Sequence, residues 1–203
     1  MFKHELPHKQ LFDELRLFDP GPISGPYVVD GVRIGSPICE DAWWQPVTET
    51  LAETGAEILV VPNGSPYHRD KLDLRMGHMV ARVHEGGLPL AYVNMVGGQD
   101  DQVYDGASFV LNPGGHKVVQ MAPFDEGLVH VDFTRTAEGW RAERGEMIEG
   151  LAVLHTLGDD VQAVRLDGGA QRAVRRDAAD RHGAAERRCG LQARAAEPER
   201  GDC

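Results

Sequence analysis

The sequence predicts an α/β fold, and three observations lead to this prediction. Short apolar runs alternate with stretches of helical periodicity over most of the chain. The runs end in clusters of Gly, Pro and Asn, which are typical of turns at strand ends. The chain has 203 residues, of which 41% are hydrophobic. That is enough for one substantial core and too little for two, so we expect one main domain.

The first elements alternate between strand and helix. They are predicted over 32–38 (strand), about 47–54 (helix), 57–61 (strand) and about 70–85 (helix). The last helix carries one apolar face, and the pair Gly86 and Gly87 ends it. Beyond it, 88–94 predicts a buried strand, and a polar loop follows. Later strands are predicted over 107–111, 117–121 and about 128–133, with a turn at 112–115 and a hairpin-like arrangement.

Composition changes near Gly158, beyond which Lys, Ile and every aromatic residue disappear. A segment this poor in large apolar side chains offers little surface to offset the entropy of ordering. We therefore expect a main domain over 1–150 and a tail over 151–203 that is disordered or loosely helical. A further hypothesis is that the tail is an out-of-frame translation of a GC-rich gene, which a continuous in-frame reading of the gene would refute.

Charge and cysteine content narrow the class of protein. The formal net charge of −11 disfavours nucleic acids and anionic membranes as partners, because both select clustered Lys and Arg. Three cysteines form neither a disulfide framework nor a Cys/His metal signature, so we expect no metal site and a reducing compartment. The first residues lack the apolar core of a signal peptide. The cytoplasm is the expected location.

Cys39 lies where an apolar run ends and a helix-like segment begins. Two interpretations compete: a small buried hydrophobe, and a nucleophile whose pKa the following helix lowers. His78 and His84 form no ligand pattern and are interpreted as surface residues.

Four motifs resemble, in order, those of the carbon-nitrogen hydrolase (nitrilase) superfamily, and within it the glutaminase domain of glutamine-dependent NAD synthetases. They are KHELP at 3–7 with FDE at 12–14, ICED at 38–41, NGSPY at 63–67, and YVNMVGGQD at 92–100 leading to YDGASF at 104–109. The resemblance covers about residues 3–150. It implies an α-β-β-α sandwich, of which this chain would be a fragment lacking the N-terminal strand-helix unit.

The resemblance also implies roles for particular residues. Cys39 matches the nucleophile, Lys3 matches the lysine that stabilises the oxyanion, and the backbone N–H of Glu40 would assist it. Ser65 and Phe12 would bind substrate, although a plain turn serine is the alternative for Ser65. Apart from the resemblance, charge complementarity suggests that Arg69 or Lys71 pairs with the α-carboxylate of the substrate, and two solvated residues at the start of a helix are the alternative. The family's general base, a glutamate upstream of Lys3, has no match in the chain, and Glu5, Glu14 and Glu40 do not occupy its position. We therefore expect the chain alone to be impaired.

Three functions remain open at this point. The first is glutamine hydrolysis that supplies ammonia for the ATP-dependent amidation of nicotinic acid adenine dinucleotide to NAD. The second is a free-standing amidase of the superfamily, and the third is a non-catalytic remnant. The glutaminase chemistry implies glutamine as partner and no cofactor, since ATP and Mg would act only in a synthetase domain whose pyrophosphate loop the sequence does not match. Family members commonly form homo-oligomers.

Overall fold

The computed structural model of the chain describes residues 2–9, 12–147, 152–153 and 163–164. The chain divides into two units, Met1–Met147 and Ile148–Cys203. The helices are α1 (Gln45–Glu53) and α2 (Lys71–Gly86), with 3-10 turns at Glu14–Arg16 and Cys39–Trp43. The strands are β1 (His8–Lys9), β2 (Phe12–Asp13), β3 (Tyr27–Val29), β4 (Val32–Gly35), β5 (Ile58–Asn63), β6 (Leu90–Asn94), β7 (Val96–Gln99), β8 (Gln102–Asp105), β9 (Phe109–Asn112), β10 (His116–Gln120), β11 (Val129–His130), β12 (Phe133–Thr136), β13 (Gly139–Ala142), β14 (Glu146–Met147), β15 (Ala152–Val153) and β16 (Ala163–Val164).

The first unit is built on a six-stranded mixed sheet. Its strand order is β10-β9-β6-β5-β4-β3, in which β4, β5 and β6 are parallel and the remaining pairs are antiparallel. The two parallel connections are made by α1 and α2, as expected for β-α-β units. The carboxyl ends of β4, β5 and β6 therefore lie at one edge of the sheet, where the loops that follow them meet.

The core lies between the sheet and the two helices. Alternate residues of the sheet strands face the helices, and Tyr92 and Phe109, which are paired in register, stack at 4.8 Å between ring centroids. The buried core residues include Leu51, Leu59, Val61, Met79, Val83, Leu90 and Leu111. On the opposite face of the sheet Val93 is 52% exposed. Within the described residues, no helix is both long and apolar enough to cross a bilayer.

The α/β prediction is confirmed, with local differences. The first predicted strand ends at Gly35 rather than residue 38, because Pro37 cannot donate a ladder hydrogen bond. The polar loop predicted after β6 is instead the hairpin of β7 and β8. The strand predicted over 128–133 is wrong, since two short strands, β11 and β12, stand there with different partners. Apart from β15 and β16, the predicted tail over 151–203 lies outside the described residues.

Candidate active site

Cys39 lies at the end of the segment that follows β4, and its backbone is in the left-handed region with φ of 52°. This conformation costs a non-glycine residue about 1–2 kcal/mol, and such strain is concentrated at functional sites. The 3-10 turn Cys39–Trp43 follows directly, and α1 begins only at Gln45. Cys39 is a free thiol in a half-buried position.

Asp41 fastens this turn to the N-terminal segment. Its side chain is buried, and one carboxylate oxygen accepts the backbone N–H groups of His4 at 3.0 Å and Glu5 at 2.6 Å. The other oxygen accepts the N–H of Ile38 at 3.1 Å. One buried carboxylate therefore holds the segment around Lys3 against the turn that carries Cys39. The sequence motif contains Asp41 but gives no sign of this function.

Lys3 forms an ion pair with Glu14, with 2.5 Å between Nζ and Oε2. Both side chains are partly buried, and they line a cavity of about 340 Å³. Both charges also reach the thiol of Cys39, since Lys3 lowers its pKa and Glu14 raises it. The structure therefore brings the predicted lysine near the predicted nucleophile and adds Glu14, for which the motifs predicted no role.

Burial raises the pKa of the Cys39 thiol above its ordinary value. The charge of Lys3 and hydrogen bonds from the backbone of Gly64 and Glu40 act in the opposite direction, but burial has the larger effect. The expected lowering of this pKa is therefore wrong. Its physical reason is that removal of the thiol from water outweighs the nearby charge and N–H groups. A five-residue 3-10 turn follows Cys39, and α1 begins only at Gln45.

A cavity of about 250 Å³ opens beside Cys39. Its walls include the substrate-binding residues predicted from the sequence, Phe12, Ser65 and Lys71. The 3-10 turn contributes Cys39, Glu40 and Trp43 to the same walls. The loop after β5 contributes Ser65, the start of α2 contributes Lys71, and β2 contributes Phe12. The structure therefore gathers these sequence-distant residues around one pocket.

Ser65 is buried, and Asn94 at the end of β6 holds its backbone. The Asn94 side-chain oxygen accepts the Ser65 N–H at 2.8 Å, and its Nδ2 donates to the carbonyls of Ser65 at 3.2 Å and Gly106 at 3.1 Å. Beneath this linkage lies a buried ion pair between Arg75 and Asp105, whose side chains are 0% and 3% exposed. The Arg75 Nη2 lies 2.6 and 2.5 Å from the two carboxylate oxygens.

Trp43 connects the nucleophile turn to α2. Its ring stacks on the His78 imidazole at 4.5 Å between centroids and an interplanar angle of 22°, and the Lys71 ammonium lies 4.5 Å from the indole centroid. The interpretation of His78 as a surface residue is wrong, because its side chain is half-buried against Trp43. Sequence periodicity placed His78 on α2 but could not show that the nucleophile turn packs on that helix.

The arrangement has the parts of a thiol-dependent acyl-transfer site. It combines a thiol on a strained turn, a cation that favours its thiolate, and two backbone groups, of Glu40 and Gly64, that interact with the sulfur. Among the described residues, no group of three or more His, Cys, Asp or Glu side chains is arranged to hold a metal ion. Ser65, Asn94 and Arg75 form a buried support on one side of the pocket.

The chain belongs to the carbon-nitrogen hydrolase family, whose model matches residues 1–142. This match confirms the resemblance drawn from the motifs, and the fold agrees with that of solved family members. An amidase from Nesterenkonia sp. superimposes with a TM-score of 0.51 and 27% identity, over 60% of this chain and 45% of that one. A structure of a mutant amidase from Nesterenkonia sp. AN1 shows covalent addition of the acetamide moiety of fluoroacetamide at the active site cysteine.

Within the family, the chain is similar to glutamine-dependent NAD(+) synthetases. The one from Rhodobacter capsulatus is 58% identical over 146 residues, which are 72% of this chain and 26% of that protein. The structure of the synthetase from Acinetobacter baumannii in complex with ADP aligns with a TM-score of 0.63 and 34% identity, over 68% of this chain and 26% of that one. The chain thus spans about a quarter of the length of these relatives.

Proposed function

We propose that this chain carries the glutamine-hydrolysing site of a glutamine-dependent NAD synthetase. The observation that carries the proposal is the pocket beside Cys39, which brings Ser65 and Lys71 together with a thiol on a strained turn. Glutamine offers a side-chain amide for the thiol, and an α-carboxylate that a cation such as Lys71 complements. The name of the R. capsulatus relative supports glutamine as the substrate.

In the proposed reaction, the sulfur of Cys39 attacks the amide carbon of glutamine. The C–N bond breaks, the thiol proton leaves with the amine as ammonia, and a γ-glutamyl thioester remains on the sulfur. Lys3 and the backbone N–H of Glu40 stabilise the negative oxygen that develops during the attack. Water then cleaves the thioester, which releases glutamate as product and regenerates the thiol. In the family, the side chain of a Glu residue upstream of the position of Lys3 accepts the proton from this water.

In the whole parent enzyme, the ammonia serves the amidation of nicotinic acid adenine dinucleotide to NAD. ATP and Mg belong to that second, ligase reaction on a synthetase domain, and the glutaminase chemistry itself uses no cofactor. We further propose that the parent works in the cytoplasm as a homo-oligomer. The alternative is a general amidase, which the likeness to the Nesterenkonia amidase favours.

Ammonia release from the purified chain tests the proposal, with Cys39→Ala as the control. We expect slow, Cys39-dependent release of ammonia from L-glutamine, because acylation expels ammonia before water is needed, whereas the sequence has no match to the proton-accepting glutamate of the family. A folded chain that releases no more ammonia than Cys39→Ala, and whose Cys39 is not protected from alkylation by L-glutamine, contradicts the proposal. Equal release from butyramide and glutamine supports the general amidase.

A further inference from the structure

Lys71 is a cation in the wall of the pocket beside Cys39, and one contact that limits its position is with an aromatic ring. Its ammonium lies 4.5 Å from the centroid of the Trp43 ring, within the range of a cation–π interaction. A lysine side chain has four flexible bonds and does not hold a point charge in place by itself. A wall of aromatic surface under the ammonium limits this freedom.

Trp43 is itself held from two directions. Its indole stacks on His78, two turns further along the same helix as Lys71. Its backbone carbonyl accepts a hydrogen bond from Arg82 at 3.1 Å, and Arg82 in turn pairs with Glu85 at 2.7 Å. The ring is also packed against the hydrophobic core. Trp43 is therefore a rigid platform rather than a mobile pocket side chain.

We infer that Trp43 is a positioning residue, which holds the Lys71 ammonium at the place in the pocket where the proposed function puts the anionic group of glutamine. The inference rests on the proposed function and deepens it, since it names the device that would separate glutamine from neutral amides. Lys71 lines the pocket beside Cys39, and its ammonium is the charge that the Trp43 ring contacts.

Alkylation of Cys39 by iodoacetate and iodoacetamide tests this without requiring turnover. Both reagents react with the same thiolate, so the ratio of their rate constants cancels the thiolate fraction and reports the local charge met by the anionic reagent. Quantitative mass spectrometry of the Cys39 peptide gives both rates, and free cysteine gives the reference ratio. The chains compared are the natural one, Trp43→Leu, Trp43→Phe and Lys71→Met, with the exposed neighbour in Trp44→Leu as the matched control.

We expect the ratio of the iodoacetate to the iodoacetamide rate constant to fall roughly three- to tenfold in Lys71→Met. This is the size of effect expected when the anionic reagent loses the attraction of one nearby charge in a solvated pocket. Trp43→Leu should produce most of that fall, while Trp43→Phe, which keeps a ring, and Trp44→Leu should leave the ratio within about twofold of the natural chain. The double variant of Trp43→Leu and Lys71→Met should match Lys71→Met alone, because both changes act through one charge.

An unchanged ratio in Trp43→Leu beside a lowered one in Lys71→Met overturns the inference, and so does an unchanged ratio in Lys71→Met. If Trp43→Leu unfolds by circular dichroism, Trp43→Met replaces it as the variant without a ring, and a ratio within about twofold of the natural chain in that folded variant overturns the inference. Failure of the proposed function is seen separately, as absence of Cys39-dependent ammonia release from glutamine while the alkylation ratios still follow the expected order.

Discussion

Replacing Arg75 by Met should be among the most destabilising single changes in this chain. The guanidinium and the Asp105 carboxylate are both almost completely buried, and they face each other at 2.5 to 2.6 Å. Methionine fills much of the same space but leaves the Asp105 charge without its partner. Removing one member of a buried pair costs about 3–5 kcal/mol, which is a large share of the roughly 5–15 kcal/mol that stabilises a typical domain.

Urea denaturation followed by circular dichroism measures this cost. For a slope of about 2 kcal/mol per molar urea, a loss of about 4 kcal/mol lowers the midpoint by roughly 2 M. The matched control is Arg16→Met, whose ion pair with Asp13 is exposed, with the arginine side chain 73% accessible. That change should cost less than about 0.5 kcal/mol. A loss below about 1 kcal/mol in Arg75→Met would refute the reasoning, because the Asp105 charge would then be stabilised by something other than Arg75.

Three further predictions concern the nucleophile and the groups around it. Because burial raises the Cys39 pKa, its alkylation rate should rise with pH through an inflection above that of a free thiol. Lys3→Met should move this inflection to higher pH, and Glu14→Gln should move it to lower pH. Rates of iodoacetamide labelling at a series of pH values measure both shifts. A shift in the opposite direction in either variant contradicts the effect assigned to that charge. Asp41→Ala should lower the free energy of unfolding, measured by urea denaturation, by about 2–4 kcal/mol, because three backbone N–H groups lose their shared acceptor. A loss under about 1 kcal/mol would show that these N–H groups find other partners. Tyr92→Phe should change stability by less than about 1 kcal/mol, because the buried hydroxyl lies near Ser65 and Arg75 but makes no hydrogen bond of good geometry within the described residues. A larger loss would reveal a bond from Ser65 or Arg75 to that oxygen.

The periodic parts of the fold could be predicted from the sequence. The apolar face of α2 and its glycine end are local signals. The helix does end at Gly86, and the next residue, Gly87, has φ of 65° and donates a hydrogen bond to the Val83 carbonyl. The hairpin of β7 and β8 could not be predicted in this way. Its first strand, Val96–Gln99, contains two glycines and little β-branched character, so its pairing with β8 and not its own propensity makes it a strand.

The candidate site likewise has parts that could be predicted from the sequence and parts that could not. Motifs identified Cys39, Lys3 and Ser65, and charge suggested Lys71. The structure gathers Cys39, Ser65 and Lys71 because the ends of parallel strands meet at one edge of the sheet, and Asp41 holds the segment that carries Lys3 against the Cys39 turn. Motifs could not reveal what supports these residues, because that depends on contacts between distant segments. The stacking of Trp43 on a side chain of α2 is one such contact, and the net effect of burial on the Cys39 thiol is another.

The most direct test of this account is the capture of the thioester on Cys39. The chain is mixed with L-glutamine, quenched in acid, which preserves thioesters, and digested for mass spectrometry, with D-glutamine and Cys39→Ala as controls. The account predicts one γ-glutamyl group on the Cys39 peptide, formed from L-glutamine in preference to the D-isomer. A folded chain whose Cys39 stays unmodified, and is alkylated at the same rate with and without saturating L-glutamine, would contradict it.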